Sequence, residues 1–221
     1  VHVQVNTEIP GGRRSLAEQA YLFIRDRLVM LDIAPGEPIN EEWLGGTLGM
    51  GRTPIREALK RLEADRLVVA FPRRGTFATE VNISDLAHIS EVRRTLEPVA
   101  AAAAAERATA ADHATLTALR ELLETSEDSG DNADLLRTDL ELHRSLYRCA
   151  HNPFLEDTLV HYDNLATRIW CLFAPRLRGM AGHVHEHAPL LTAVIEGDPK
   201  KAADLALDHV TGFERAVRTL I

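Results

Sequence analysis

The sequence predicts a mainly α-helical chain in two parts: three helices and a β-hairpin over residues 15–82, then an all-α antiparallel helical bundle over 83–221. Three observations carry this reading. Apolar residues recur at 3-and-4 spacing along most of the chain, the mark of helices with one buried face. A single β-rich stretch, 67–71 and 76–79, flanks the turn Pro72-Arg73-Arg74-Gly75. From Ser84 onward every apolar pattern is helical and is interrupted only by Asp/Gly or Asn-Pro breaks. At 221 residues the chain has room for two small domains, and residues 1–14 are expected to be a flexible tail.

Ser15-Leu16-Ala17-Glu18 is a capping box, and Ala17, Tyr21, Ile24, Leu28 and Leu31 then mark a first helix to about Leu31. Ala34-Pro35-Gly36 stops it. Asn40 is placed to cap a short second helix that carries Trp43, Leu44 and Leu48 inward. After the turn Gly49-Met50-Gly51, Thr53 is the expected N-cap of a third helix, with Pro54 at its first position and Ile55, Leu59 and Leu62 as its buried stripe. Three helices followed by a basic-tipped hairpin make a winged helix-turn-helix, whose last helix enters the DNA major groove. Six helices are expected beyond it, over 84–107 (capped by Ser84), 111–127, 133–150, 154–173, 182–196 and 199–220. Short connections make an antiparallel bundle the economical packing.

Composition excludes several classes. The longest apolar runs fall far short of the roughly 18 residues of a membrane span, and no basic start followed by an apolar core opens the chain, so a cytoplasmic protein is expected. Cys149 and Cys171 are isolated and form no CxxC pair, which argues against a disulfide framework or a thiolate zinc site. The formal net charge of -8 looks wrong for a nucleic-acid binder until it is divided. Basic and acidic residues balance over 1–82, and the whole acidic excess lies beyond.

The third helix begins Arg52-Thr53-Pro54-Ile55-Arg56, placing two arginines in the first turn, where the helix dipole repels cations. An external anion would resolve the conflict. Arginine presents a two-pronged donor to guanine O6 and N7, and helix N-terminal N–H groups bind phosphate. Ala34-Pro35-Gly36, Leu48-Gly49, Arg52 through Leu59 and Pro72-Arg73-Arg74-Gly75 resemble, in order and spacing, the winged helix-turn-helix of GntR-type transcriptional regulators. That resemblance implies that Arg52, Thr53 and Arg56 contact bases and phosphates, and that Arg73, Arg74 and Gly75 form the wing tip. The chain departs from the family pattern in three places: Gly51 replaces Ser or Thr, Gly45-Gly46 interrupts the second helix, and Arg66 stands where a glycine normally follows the recognition helix.

In the third bundle helix, Asp139 and His143 share the apolar stripe of Leu136, Leu140, Leu146, Tyr147 and Ala150 at i, i+4. A buried carboxylate needs a partner. His187 and His209 lie at similar distances on either side of the break Gly197-Asp198-Pro199, so an antiparallel pair brings them to one height. Asp139, His143, His187 and His209 can therefore converge. One oxygen and three imidazoles suit a divalent transition metal: zinc first, with nickel, manganese or iron as alternatives. His183 and His185 are read as solvated. The competing reading is a set of core histidines satisfied by hydrogen bonds.

The same region, from Ser84 onward, resembles the effector (FCD) domain of the FadR branch of these regulators, in its shorter VanR-like six-helix variety. The carrying residues are Asp139-Leu-Glu-Leu-His143 before Asn152-Pro153, Glu186-His187 before Ala193, and Gly197-Asp198 before His209. The resemblance implies metal ligation by the four residues, a small carboxylate effector above the metal, and Arg93 as its clamp. The resulting expectation is a homodimeric, ligand-responsive repressor or activator of double-stranded operator DNA, not an enzyme. A metal-dependent hydrolase and a metal-responsive regulator with no organic effector are the alternatives; against the first, His185-Glu186-His187 is not the HExxH arrangement.

Overall fold

A computed structural model describes residues 14–125, 132–174 and 180–219. The expected tail is outside this range except for Arg14, as are the last residues of the helices expected over 111–127 and 199–220. The chain divides into two compact units. The first joins the described residues up to Arg27 with Gly36–Thr79, and the second joins Leu28–Pro35 with the chain from Glu80 onward.

In the first unit α1 (Leu16–Val29) starts as the capping box requires, with Ser15 Oγ accepting from the Glu18 N–H at 3.1 Å. It ends two residues earlier than expected, and Leu31 follows with a positive φ of 59°. α2 (Glu41–Leu48) is capped by Asn40, whose side chain accepts from Trp43 N–H. Leu44 is buried, but Trp43 is 47 % exposed, contrary to the inward position expected for it. The indole instead lies under the Arg27 guanidinium, 5.4 Å from the ring centroid, an arrangement available to a ring at a domain surface. Gly45 also has a positive reason to be glycine, since an added Cβ would meet the Met50 carbonyl oxygen at 3.0 Å.

α3 (Arg52–Ala64) buries Ile55, Ala58, Leu59 and Leu62. Its N-cap is Gly51 and not Thr53. The extended backbone of Gly51 starts the helix two residues sooner, and Pro54 is tolerated because first-turn N–H groups have no intrahelical partner. At the other end, Leu67 N–H donates to Leu62 O and Arg66 N–H to Glu63 O, the two bonds of a Schellman closure. That closure forces Arg66 to φ 60°. Arg66→Gly is therefore expected to raise stability by roughly 0.5–1 kcal/mol, the left-handed strain relieved less the extra chain entropy of glycine. A urea midpoint at or below wild type would show that the arginine is not strained.

The hairpin β1 (Val68–Phe71) and β2 (Gly75–Ala78) is antiparallel with Val68 opposite Ala78 and Phe71 opposite Gly75. Arg74 N–H donates to Phe71 O, with Pro72 and Arg73 between them and Arg73 at φ 61°, as a type II turn demands of its third residue. The free edge of β2 is also covered. Ile39 N–H donates to Thr76 O and Ala78 N–H to Glu37 O, a pairing that the Pro-rich segment did not announce.

In the second unit a 3₁₀ turn, Ile83–Asp85, capped by Asn82 and not Ser84, leads into α4 (Leu86–Arg107). α5 (Ala110–Thr125), α6 (Asn132–Cys149) and α7 (Pro153–Phe173) follow the expected positions. The helix expected over 182–196 is present in two pieces, α8 (Met180–His185) and α9 (His187–Ile195), divided at Glu186. Pro189 explains the break: it has no N–H for the His185 carbonyl and its ring collides there in a continuous helix. α10 (Pro199–Arg218) starts on Asp198, which caps Lys201 N–H, and packs along α4. Among the described residues no helix is long and apolar enough to cross a membrane.

Candidate metal centre and nucleic-acid interface

The first unit presents α3 with its apolar face inward and Arg52, Thr53 and Arg56 exposed. The first turn holds no acidic residue and Gly51 offers no side-chain acceptor, so the helix terminus keeps its positive end for an outside anion. Arg56 is held from behind: its Nε donates to Glu41 Oε2 at 2.8 Å, which leaves the two terminal nitrogens of the fork for another acceptor. Arg73 and Arg74 are exposed at the hairpin tip beside Gly75, whose φ is 96°. The Arg74 guanidinium lies 5.6 Å from the Phe71 ring centroid. Glu63 ties the hairpin to the helix by accepting from Ala70 N–H at 3.0 Å.

The second unit brings Asp139, His143, His187 and His209 together, with one ligand atom from each within 4.8 Å of the others. All four are buried. His143 Nε2 lies 3.3 Å from His187 Nε2 and 3.2 Å from His209 Nε2. Two nitrogens on one tetrahedral zinc stand about 3.3–3.4 Å apart, given bond lengths of about 2.0–2.1 Å. The opposite ring nitrogens are engaged. His187 Nδ1 faces Val184 O at 3.1 Å, His209 Nδ1 faces Glu186 Oε2 at 3.3 Å, and His143 Nδ1 faces the Tyr147 hydroxyl at 3.0 Å.

Those partners decide the protonation. A carbonyl and a carboxylate accept the Nδ1 protons of His187 and His209, so both Nε2 atoms carry lone pairs aimed at His143. A proton on His143 Nε2 serves only one of them; a cation serves all three. Burial, reinforced by the neighbouring imidazoles, also holds His143 and His209 well below the ordinary histidine range, and burial lowers His187 as well. Neutral imidazole is the ligating form. Asp139 places Oδ2 3.9 Å from His143 Nε2 and Oδ1 3.6 Å from His187 Nδ1, and Oδ1 is buried with no hydrogen-bond partner, so the carboxylate has acceptor capacity to spare beside the three imidazoles. The donor set fits a divalent transition ion.

Arg93 is 3 % exposed and forms a buried ion-pair cluster. Its Nε donates to Glu97 Oε1, and its Nη2 lies 3.3 Å from Asp163 Oδ1. Burial works against its charge, yet Glu97 and Asp163 hold its pKa above the usual value. Burial in turn raises Glu97, and pushes Asp163 up to about 7 against the pull of Arg93. Arg93, Asp163 and Thr167 line the same cavity as Asp139, His143 and His209.

Sequence reasoning missed Glu97, Asp163 and His183 here. His183 is not solvated: its ring stacks on His209 with centroids 4.2 Å apart, and its Nδ1 lies 3.3 Å from Glu186 Oε2. His185 is half-buried, with Nε2 3.0 Å from Leu123 O. A signal was present for two of them, since Glu97 stands four residues after Arg93 and His183 four before His187.

Residues 88–212 match the FCD domain, and residues 16–78 match the bacterial regulatory proteins of the gntR family. The chain belongs to the GntR family and carries an FCD domain. It is 33% identical over 132 residues to the uncharacterized HTH-type transcriptional regulator YdhC of Bacillus subtilis, covering 59% of each chain. It is 21% identical over 220 residues to the HTH-type transcriptional repressor RspR of Escherichia coli, covering 100% of this chain and 94% of that protein. The first three curated relatives are matched over 59%, 36% and 58% of their own lengths. The fold agrees with that of E. coli McbR/YncC, with a TM-score of 0.81 at 22% identity over 94% of this chain and 99% of that one. These relatives are regulators, and the hydrolase alternative finds no counterpart among them.

Proposed function

We propose that this GntR-family chain is a cytoplasmic transcriptional regulator that binds double-stranded operator DNA as a homodimer and responds to a small organic acid bound beside a metal in its FCD domain. The observation that carries the effector half is the convergence of three buried imidazoles and the Asp139 carboxylate within 4.8 Å of one another, with Asp139, His143 and His209 lining a cavity that Arg93 also lines. Asp139, His143, His187 and His209 would hold the metal, zinc first and nickel, manganese or iron as alternatives; when bound it supplies a Lewis-acid seat for a carboxylate. Arg93 lines the same cavity, but Glu97 and Asp163 already engage it and offset its charge, so what it offers an effector carboxylate is its remaining N–H groups.

The DNA half rests on the exposed Arg52, Thr53 and Arg56 at an acid-free helix start, with Arg73, Arg74 and Gly75 as the wing tip. Two copies would read a short palindrome, one half-site each. Duplexes selected from a random pool by the full chain supply the probe. Arg52→Ala and Arg56→Ala are each expected to weaken binding by about 1–3 kcal/mol while the fold survives. For Arg73→Ala and Arg74→Ala the expected change is a shallower salt dependence, by about 0.9 in the log–log slope for each phosphate no longer neutralised. If no duplex is enriched, or if both α3 variants bind as wild type does, the DNA assignment fails.

A further inference from the structure

Tyr147 is fully buried on α6, one turn after His143. Its ring packs with Ala100, Ala103, Ala150 and Leu159, a cluster that phenylalanine would fill equally well, so packing leaves the hydroxyl unexplained. That hydroxyl meets two groups. It lies 3.0 Å from His143 Nδ1 and also hydrogen-bonds the Glu97 carboxylate. Glu97 accepts from Arg93 Nε at Oε1 and turns Oε2 toward His143, 3.6 Å from Nδ1. The direction of each bond follows from what the groups can do. Facing a guanidinium that never loses its charge, Glu97 is a carboxylate and only accepts. The single tyrosine proton therefore goes to Glu97, and the oxygen accepts from His143 Nδ1, which carries the proton of that ring. His143 Nε2 is then a lone pair, like the Nε2 atoms of His187 and His209 that stand 3.3 and 3.2 Å from it.

We propose that Tyr147 is a positioning residue for the metal: backed by Glu97 and Arg93, its hydroxyl fixes the Nδ1–H tautomer of His143 and keeps Nε2 open for a cation. The inference rests on the metal reading above and deepens it. Without the hydroxyl, the metal-free cluster has a better arrangement available, because a proton moved to His143 Nε2 can be donated to His187 or His209. That proton would have to leave before an ion could bind. Partners on the far nitrogen of a ligating histidine act in this way, fixing the tautomer and the ring orientation. Here the partner is itself held by an ion pair on α4, so Arg93 acts on the ligand set through Glu97 and Tyr147.

Tyr147→Phe keeps the ring and removes the hydroxyl. In the metal-free full chain, long-range proton–nitrogen correlation of nitrogen-labelled histidine identifies the protonated nitrogen of each ring, His143 being recognised by its loss in His143→Ala. The wild type should carry the His143 proton on Nδ1, and the variant should move it to Nε2. Competition with a chromophoric chelator then measures the affinity for zinc alone, which the variant should reduce by about 10–100-fold. A residue that served only packing would weaken the site without moving the proton. Zinc held as tightly as by the wild type, or weakened with the proton still on Nδ1, would overturn the inference and leave the metal reading standing. A wild type protonated on Nε2 would do the same, and that measurement decides alone should Tyr147→Phe not fold. If the wild type binds no zinc, the metal reading itself falls and takes this one with it.

Discussion

Arg93→Ala is expected to destabilise the helical unit by about 3–5 kcal/mol at neutral pH, the cost of removing one partner from a buried ion cluster. The arginine is held between Glu97 and Asp163, all three essentially inaccessible to water, and its loss leaves two carboxyl groups in a low-dielectric interior. They can escape by taking up protons, which fixes the pH dependence. Burial pushes Asp163 up to about 7 even with Arg93 in place to lower it, and without the guanidinium its pKa rises further above the unfolded value. A raised folded pKa stabilises below the unfolded pKa and loses that contribution as pH rises through the folded one. The penalty should therefore be smaller at about pH 5 than at about pH 8. Chemical denaturation at both values checks it, and an equal penalty would mean that Asp163 and Glu97 carry no charge in the native protein. The same result bears on effector binding: a weak ligand response in this variant reports a damaged fold before it reports a lost clamp.

The second large effect concerns the histidines. Alanine at His143, the residue whose Nε2 both other imidazoles approach, should take metal content from about one ion per chain to nearly none. Asp139→Ala, His187→Ala and His209→Ala should each weaken it. Because an ion bound only by the folded state adds about 2.7 kcal/mol at a hundred times its dissociation constant, chelation of the wild type should lower its thermal transition. The His143→Ala transition should not move on chelation. Elemental analysis together with melting in the presence and absence of chelator tests both statements. Full occupancy in all four variants would place the metal elsewhere.

How much of this is legible in the sequence follows from the range over which each signal acts. The pairing of Asp139 with His143 is a property of one helix, since residues four apart share a face whatever surrounds them. The meeting of His187 with His209 needs only the break at Gly197 and a constant rise per residue, and Gly197 indeed turns at φ 70°. Arg52, Thr53 and Arg56 are readable for the same reason, since the apolar stripe of α3 leaves them no other face.

Local pattern misleads where neighbours outside it decide. Trp43 has the apolar surface of a core residue, and the Arg27 side chain gives it a place at the surface. Thr53 is a better cap than Gly51 by side chain, but the cap is chosen by where the backbone leaves its extended path. His183 reads as solvated although it lies one turn before His187; its burial depends on Trp170, Phe213 and His209, which come from other helices.

The sequence by itself determined most of the order of elements, the division into a helix-and-hairpin unit and a helical bundle, the exposed basic face of α3 and the meeting of Asp139, His143, His187 and His209, because helical periodicity, caps and breaks act within a few residues. Only the tertiary structure decided that Arg93 is shared between Glu97 and Asp163, and that each histidine has its second nitrogen occupied by a partner. Those facts join α4, α6, α7, α9 and α10, and a buried polar group takes its partner from whichever helix the packing of apolar faces brings alongside.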